Sequence, residues 1–487
     1  SASFIPVYAK LLDEDRREAG KLAGAVAGLL CALTAALVVI GMLLARPLTV
    51  LLTPGFEGKR LDLATDLLRI MFPGIGFLVL SAWCLGILNS HRQFFLSYVA
   101  PVLWNAAQIA IVVAAGVTGA SNEGIATALA WGVVVGGALQ LLVQLPSVRR
   151  LVQGMRLSLD THSVEVRSVL RRFVPVVVGR GVIQLLTYVD LILASLLAVG
   201  AVSALTYGQV LYLLPISLFG MAVAAAELPE LARLGRAGRD QIRERMAVGM
   251  ERITFYVAPT VAIYVLAGDV LVAALLQRGE FEAADTRLVW FVVGAFALGL
   301  LGTTRSRLLQ NGLYALDRTR LVARIAVVRV ALAAVIGGLL MFPLDRWAVV
   351  GSSVQRIGDL GLSPLPRGLL DDGLPRLGVV GLALGAALSS WFEYRVLRGA
   401  LEWRIGQLPR MSHGERWSLF AAGASGVLAA GLRATTEDLP RLVAAAVVLV
   451  PAGLTYLLIT ATMAVPEARA LVDRARRLAP IGPRDRG

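Results

Sequence analysis

Arg305 and Arg307 stand in the apolar run LLGTTRSRLLQNG, and Asp190 stands in LLTYVDLILAS. An arginine inside hydrocarbon is costly unless it faces protein or water. Its guanidinium fork suits two-point contact with a phosphate. Arg307 is therefore read as a cavity cation for a phosphate-bearing ligand, with Arg305 as the second candidate. The alternative for either is to snorkel to the interface or to neutralise an internal acid. The two positions differ by about 200° around a helix, so both cannot point into one narrow cavity. One should face it while the other finds an acid or snorkels. Asp190 is read either as a proton or sodium site or as a partner of Arg180 or Arg305. Arg180 lies ten residues upstream, about 15 Å along a helix, too far for pairing within that helix.

Other polar residues fall in apolar stretches. Gln184, Asn105, Gln140 and Gln144 suit hydrogen bonds between helices or the lining of a cavity. Glu227 precedes Pro229 at a helix end and is a candidate gate residue, or a solvated terminal glutamate. Pro215 and Pro229 remove backbone donors and permit bending. The three histidines, His91, His162 and His413, are far apart, and Cys31 and Cys84 sit in apolar runs. That leaves little material for a zinc site or a histidine-based protease. The patterns GxxxxGK[ST], GxSxG and HExxH are absent from the sequence, so no ATP-hydrolysing machinery and no cofactor are expected. Work against a gradient would draw on membrane potential or a proton or sodium gradient.

The elements that must position these residues are membrane spans. The 487 residues are 57% hydrophobic and only 16% charged, with a mean hydropathy of +0.72. Twelve segments are long enough to cross a bilayer: 22–45, 65–88, 98–118, 124–146, 173–197, 203–228, 253–276, 286–311, 322–343, 376–397, 417–432 and 441–463. The stretch at 417–432 is the shortest. Arginine-rich connections of one parity, at 147–172, 230–252 and after 395, alternate with short linkers that hold no Lys or Arg, such as 119–123 and 198–202. The positive-inside rule puts the arginine-rich set, the C-terminus and the basic tail at 465–487 in the cytoplasm. The net charge of +14 is then largely a topology signal, compatible with anionic lipid headgroups. Nucleic acid is not expected as a partner, because no compact soluble domain would present it. The long opposite loop at 345–375 is read as a linker, with a mobile cap as the alternative.

The chain also repeats itself. FIPVYAKLL at 4–12 matches ELPELARL at 227–234, LLTPGF at 51–56 faces LLQRGEF at 275–281, and LNSHR at 88–92 faces LYALDR at 313–318. Six spans separate equivalent points, which implies parallel duplicates packed about a central cavity. Two spans precede Pro229 but only five residues precede Pro6. About two helices are therefore expected upstream of Ser1, for fourteen spans in all.

These stretches resemble the MurJ/MviN family of lipid II flippases, within the multidrug/oligosaccharidyl-lipid/polysaccharide exporter superfamily. The resemblance rests on SASFIPVYAK at 1–10, LTPGF at 52–56, GILNSHRQFFLSYVAPVLWN at 86–105, WGVVVGGALQLLVQLP at 131–146 and SALTYGQVLYLLPISLFGMAVAAAELPEL at 203–231. It covers nearly all of 1–463 and thins after 340. It implies an all-α polytopic membrane protein with two parallel-repeat lobes around a central cavity. The N-lobe would take 1–150, the C-lobe 165–398, and two additional helices 416–464. The implied activity is alternating-access transfer of lipid II, an undecaprenyl-pyrophosphate-linked glycan, across the bacterial cytoplasmic membrane by a monomer. Gln184 matches a family glutamine near the cavity, and Arg307 falls where the family often has a lysine. The sequence departs from the family at YGQVLYLLP: Gln209 and Val210 stand where the family has an aspartate and an essential arginine. Other functions stay open: a multidrug or organic-ion antiporter of the same superfamily, which would want cavity acids, another polysaccharide-lipid flippase of that superfamily, and a non-transporting membrane scaffold derived from a flippase.

Overall fold

The computed structural model describes residues 4–220, 238–316, 318–351, 353–359, 361–370, 373–436 and 438–478. Side chains are described at all of these except 172, 174–187, 219, 220, 239, 367, 368, 472 and 474–478. Glu227, Pro229 and the side chain of Gln184 lie outside the described residues. The chain divides into two compact units, residues 1–192 and 193–487.

The first unit holds α1 (Ile5–Glu14), α2 (Arg16–Leu43), α3 (Ala45–Leu52), α4 (Gly58–Ser90), α5 (Phe94–Val117), α6 (Asn122–Leu151) and most of α7 (Val164–Ser195). Asp15 separates α1 from α2 and caps the latter, its carboxylate accepting from the backbone N–H groups of Arg17 and Glu18 at 2.7 and 3.3 Å. Glycine sets the packing of α2. Gly20, Gly24 and Gly28 form one stripe, and a Cβ there would lie 1.9, 2.1 and 2.2 Å from the carbonyl oxygens of Gln153, Arg156 and Ser158. Small residues at such spacing usually admit a second helix. Here they admit the extended segment after α6, whose Ser158 N–H donates to the Gly24 carbonyl at 3.4 Å. Below this groove Tyr8, Ile87, Leu88 and Val166 are buried in one apolar core.

The second unit runs α8 (Ala201–Pro215), a π-helical turn (Ile216–Gly220), α9 (Arg239–Leu276), α10 (Ala283–Leu298), α11 (Leu300–Ala315), α12 (Thr319–Leu344), a hairpin β1 (Trp347–Val350) and β2 (Ser353–Arg356), α13 (Arg367–Leu370), α14 (Gly378–Ile405), α15 (His413–Arg433), α16 (Arg441–Thr462) and α17 (Pro466–Leu478). Its cores lie under α8, α10 and α14, and under α9, α11 and α14. The division between units falls within α7 and not in the loop between 150 and 165. Val166 and Val169 at the start of α7 belong to the first core, and Ala194 at its end belongs to a second-unit core.

Among the described residues, eight helices are long and apolar enough to cross a membrane, or nine counting a bent pair. Three expected spans coincide with α7, α14 and α15 but fall outside that count. Glu393, Arg395 and Arg398 in α14, and Glu415 and Arg416 in α15, lower their hydropathy. The expected span 286–311 is two helices, α10 and α11, meeting at 41°. Gly299 stands at the break, and a Cβ there would lie 2.5 Å from Ala387 Cα. Trp391 Nε1 donates to the Leu298 carbonyl at 2.8 Å, and Ser390 Oγ donates to the Gly299 carbonyl at 3.0 Å. Side chains of α14 thus satisfy carbonyls at the break, as apolar surroundings demand.

Two expectations are corrected. The short span at 417–432 is a 21-residue helix, α15, started by a Ser412–Glu415 capping box. The segment 345–375 is no plain linker. Arg346 Nη1 donates to the Phe342 carbonyl at 2.7 Å and Nη2 to the Ser363 carbonyl at 3.1 Å. Arg376 Nη1 donates to the Asp345 carbonyl at 3.1 Å. Arg346, Arg376 and Asp345 are all buried, so charges that look like a solvated loop in sequence fasten the hairpin to the helix ends.

Candidate functional site in the second unit

The break at Gly299 starts α11, and α11 carries both predicted arginines. Arg305 is buried. Its Nη2 donates to Glu415 Oε1 and to Thr254 Oγ1, each at 2.5 Å. The other oxygen of Glu415 accepts the Ser412 backbone N–H at 2.9 Å. One carboxylate therefore caps α15 and ties it to α11, with Thr254 of α9 in the same cluster. Arg305 takes the acid-pairing role. A buried pair of this kind contributes little net stability over an apolar replacement, but losing one partner strands the other.

Arg307 stands about 200° around the helix from Arg305. It is half-buried, and its Nε is buried without a hydrogen-bond partner. No hydrogen bond or ion pair to Arg307 occurs among the described residues, although its charge acts on Glu393 and Tyr212. Glu393 on α14 is 2% exposed. Its Oε2 lies 3.5 Å from Arg329 Nε, and its Oε1 accepts from Gln310 Nε2 at 3.0 Å. Tyr212 Oη and Thr303 Oγ1 share a hydrogen bond of 2.8 Å, which links α8 to α11. The cluster thus combines one satisfied acid, Glu393, its pairing cation, Arg329, and a second cation, Arg307, with donors to spare. Such a group can hold an oxyanion.

Sequence reasoning found Arg305 and Arg307 but missed Glu393, Glu415 and Arg329. The signal was present: SSWFEYRVL and RIAVVRVAL carry charges in apolar runs just as the α11 segment does. Val210, in the place of the family arginine, is 56% exposed. It lies about 200° from Tyr212 on α8. Tyr212 reaches Thr303 of α11, and the Arg307 charge acts on Tyr212, on the α8 face away from Val210. Arg307 does not stand in for the missing family arginine at its own position.

The other predicted residues are dispersed. Gln209 is half-buried on α8, and buried Pro215 ends that helix immediately before the π-helical turn. Asp190, in the first unit, is half-buried and partnered. Asn105 is exposed on α5, its Nδ2 donating to the Pro101 carbonyl at 3.2 Å. Gln140 and Gln144 meet across Ser81: Gln140 Nε2 donates to Ser81 Oγ at 2.9 Å, and Ser81 Oγ donates to Gln144 Oε1 at 3.2 Å.

His91 and Glu467 are titratable groups outside the spans whose values are shifted. Burial, and then the Arg16 charge, hold His91 below the ordinary imidazole value. Its Nε2 is 3.0 Å from Tyr8 Oη. Burial pushes the Glu467 carboxyl up, and the Glu251 charge adds to the rise while Arg252 opposes it.

The sequence profile of the family described as Lipid II flippase MurJ matches residues 1–354. A probable lipid II flippase MurJ of Rhizobium tropici is 32% identical over 355 residues, 71% of this chain and 65% of the relative. The lipid II flippase MurJ of Burkholderia cenocepacia is 30% identical over 336 residues, 67% of this chain and 64% of the relative. The chain thus spans just under two thirds of the length of these relatives. In structure it is similar to a lipid II flippase MurJ in an inward closed conformation, with a TM-score of 0.67 at 17% identity, covering 97% of this chain and 88% of the other. It is also similar to an inward-facing MATE family transporter of the MOP superfamily, with a TM-score of 0.60 at 14% identity, covering 83% and 85%. At such identities the likeness shows a shared fold, that of polytopic all-α membrane transporters. The chain belongs to the lipid II flippase MurJ family.

Proposed function

We propose that this chain moves a pyrophosphate-linked peptidoglycan precursor, lipid II, from the inner to the outer leaflet of the bacterial cytoplasmic membrane by alternating access. The observation that carries the proposal is Arg307: a half-buried arginine on a broken span, without a hydrogen-bonded or ion-paired partner among the described residues, in a chain of a flippase family. Its spare donors suit a diphosphate oxygen. Arg329 is engaged by Glu393 and Arg305 by Glu415, so those charges hold helices together. Val210, without the family arginine, places more of the phosphate contact on Arg307 in this reading. The C-terminus lies in the cytoplasm, the protein acts as a monomer, and transport draws on a proton or sodium gradient or on membrane potential, with Asp190 as the candidate ion site. The likeness to a MATE transporter favours an antiporter as second reading. That reading wants a free acid facing the ligand, whereas Glu393 is already paired.

Rescue of cells depleted of their lipid II flippase tests the proposal. The gene for this chain should restore growth and outer-leaflet lipid II. Correct membrane insertion without either would refute flipping of that substrate.

A further inference from the structure

At the hairpin end of the second unit, α9 and α15 end while α10 and α16 begin. Their termini line a cavity of about 1300 Å³ that holds four arginines, Arg278, Arg287, Arg433 and Arg441, and two aspartates, Asp269 and Asp438. Among the described residues Arg433 is the one in an ion pair: its Nε is 2.7 Å from Asp269 Oδ2, its guanidinium lies 4.5 Å from the Trp290 ring centre, and the Arg287 charge acts on the same aspartate without an ion-pair contact. The other three arginines are held by neutral carbonyls. Arg278 Nη2 donates to Leu275 O at 2.9 Å, Arg287 Nη1 to Gly351 O at 2.7 Å, and Arg441 Nη1 to Gln277 O. A carbonyl contact fixes a guanidinium without cancelling its charge, and most of its five donors stay available. The carbonyl of Gly351 belongs to the hairpin turn, so the segment read in sequence as a linker orients one of these cations.

The surface beside the basin is apolar. Leu442 is 72% exposed at the start of α16, and Val443, Val447 and Val450 are exposed further along it. That helix is a candidate membrane span. Cations at the helix ends beside a bare aliphatic surface match the two halves of an amphiphile, a headgroup and its chains. We propose that this basin binds the phosphate headgroup of an anionic phospholipid in the leaflet opposite the arginine-rich loops. A free phosphate would have no use for the aliphatic wall.

Native mass spectrometry of the purified full chain in neutral detergent tests this, with phosphatidylglycerol and phosphatidylcholine supplied at equal concentration. The protein should retain phosphatidylglycerol selectively. The pair Arg287→Gln and Arg441→Gln should cut that selectivity about tenfold, while Arg287→Lys with Arg441→Lys keeps most of it. Substituting Arg46 and Arg69, exposed in the first unit, with Gln should leave it unchanged. Equal retention of both lipids, unaltered selectivity in the Gln pair, or equal losses in the Gln and Lys pairs would overturn the proposal. So would inorganic phosphate binding as tightly as the lipid, or a preference for undecaprenyl pyrophosphate over phosphatidylglycerol.

Discussion

The two units solve the same problem with different chemistry. Among the described residues of the first unit, no charged side chain is buried. It packs through glycine and a neutral Ser81–Gln140–Gln144 network. The second unit buries Arg305 with Glu415 and sets Glu393 against Arg329. Close backbone approach needs no desolvated charge and leaves little freedom to slide. An ion pair fixes which helices meet, and it can also place a charge, Arg307, beside its cluster for another use. The contrast teaches that the buried charges of the second unit are not one functional set. Some hold helices together, and one is left over.

The largest expected effect comes from breaking one such pair. Arg305→Met alone should destabilise the protein by about 3–5 kcal/mol, because Glu415 remains buried without its cation. Arg305→Met with Glu415→Met should recover most of that loss. Thermal melting of the three proteins in detergent measures both. Equal losses in single and double variants would mean that the pair does more than neutralise itself.

The glycine groove should respond next. Gly24→Leu places side-chain atoms where Arg156 O already stands 2.1 Å from a Cβ, and overpacking of this kind costs about 1–3 kcal/mol. Gly116→Leu, where nothing lies within 4 Å, is the control and should be near neutral. If the two variants melt alike, the groove is not what fixes α2. The neutral network should matter less: Gln140→Leu is expected to cost about 0.6 kcal/mol, the average for polar contacts between membrane helices.

Much of this fold is written in hydropathy, and its failures have physical causes. Apolar length places most helices, and the family motifs lie in 1–354, where the profile matches. The break at Gly299 is invisible to hydropathy because apolar residues continue on both sides of it. The stripe Gly20–Gly24–Gly28 is plain in the sequence, but its partner is an extended loop that no helical periodicity announces. Arg346 and Arg376 read as loop charges because burial depends on carbonyls supplied by distant backbone. At the candidate site, both α11 arginines were legible as costly charges. Their different fates were not, since those depend on Glu415 and Glu393, 110 and 86 positions away from them in the chain respectively.

The smallest effect concerns α17. Because the Glu467 carboxyl is raised by burial, its contribution to docking is full below the ordinary carboxylate value and is lost as pH rises through the raised one. Amide-exchange protection of α17, corrected for intrinsic rates, should therefore increase as pH falls toward the ordinary carboxylate value. Glu467→Gln should flatten that dependence. A profile unchanged by the substitution would assign it to another group.

The proposed division between holding charges and a substrate-facing charge is tested most directly by lipid II transfer in proteoliposomes of equal protein content. Arg307→Ala should lower the transfer rate at least about tenfold, the loss of one charge-assisted phosphate contact, with melting temperature unchanged. Arg305→Met with Glu415→Met should transfer lipid II at nearly the wild-type rate. Normal transfer by Arg307→Ala, with transfer abolished in a well-folded Arg305/Glu415 double variant, would contradict the account.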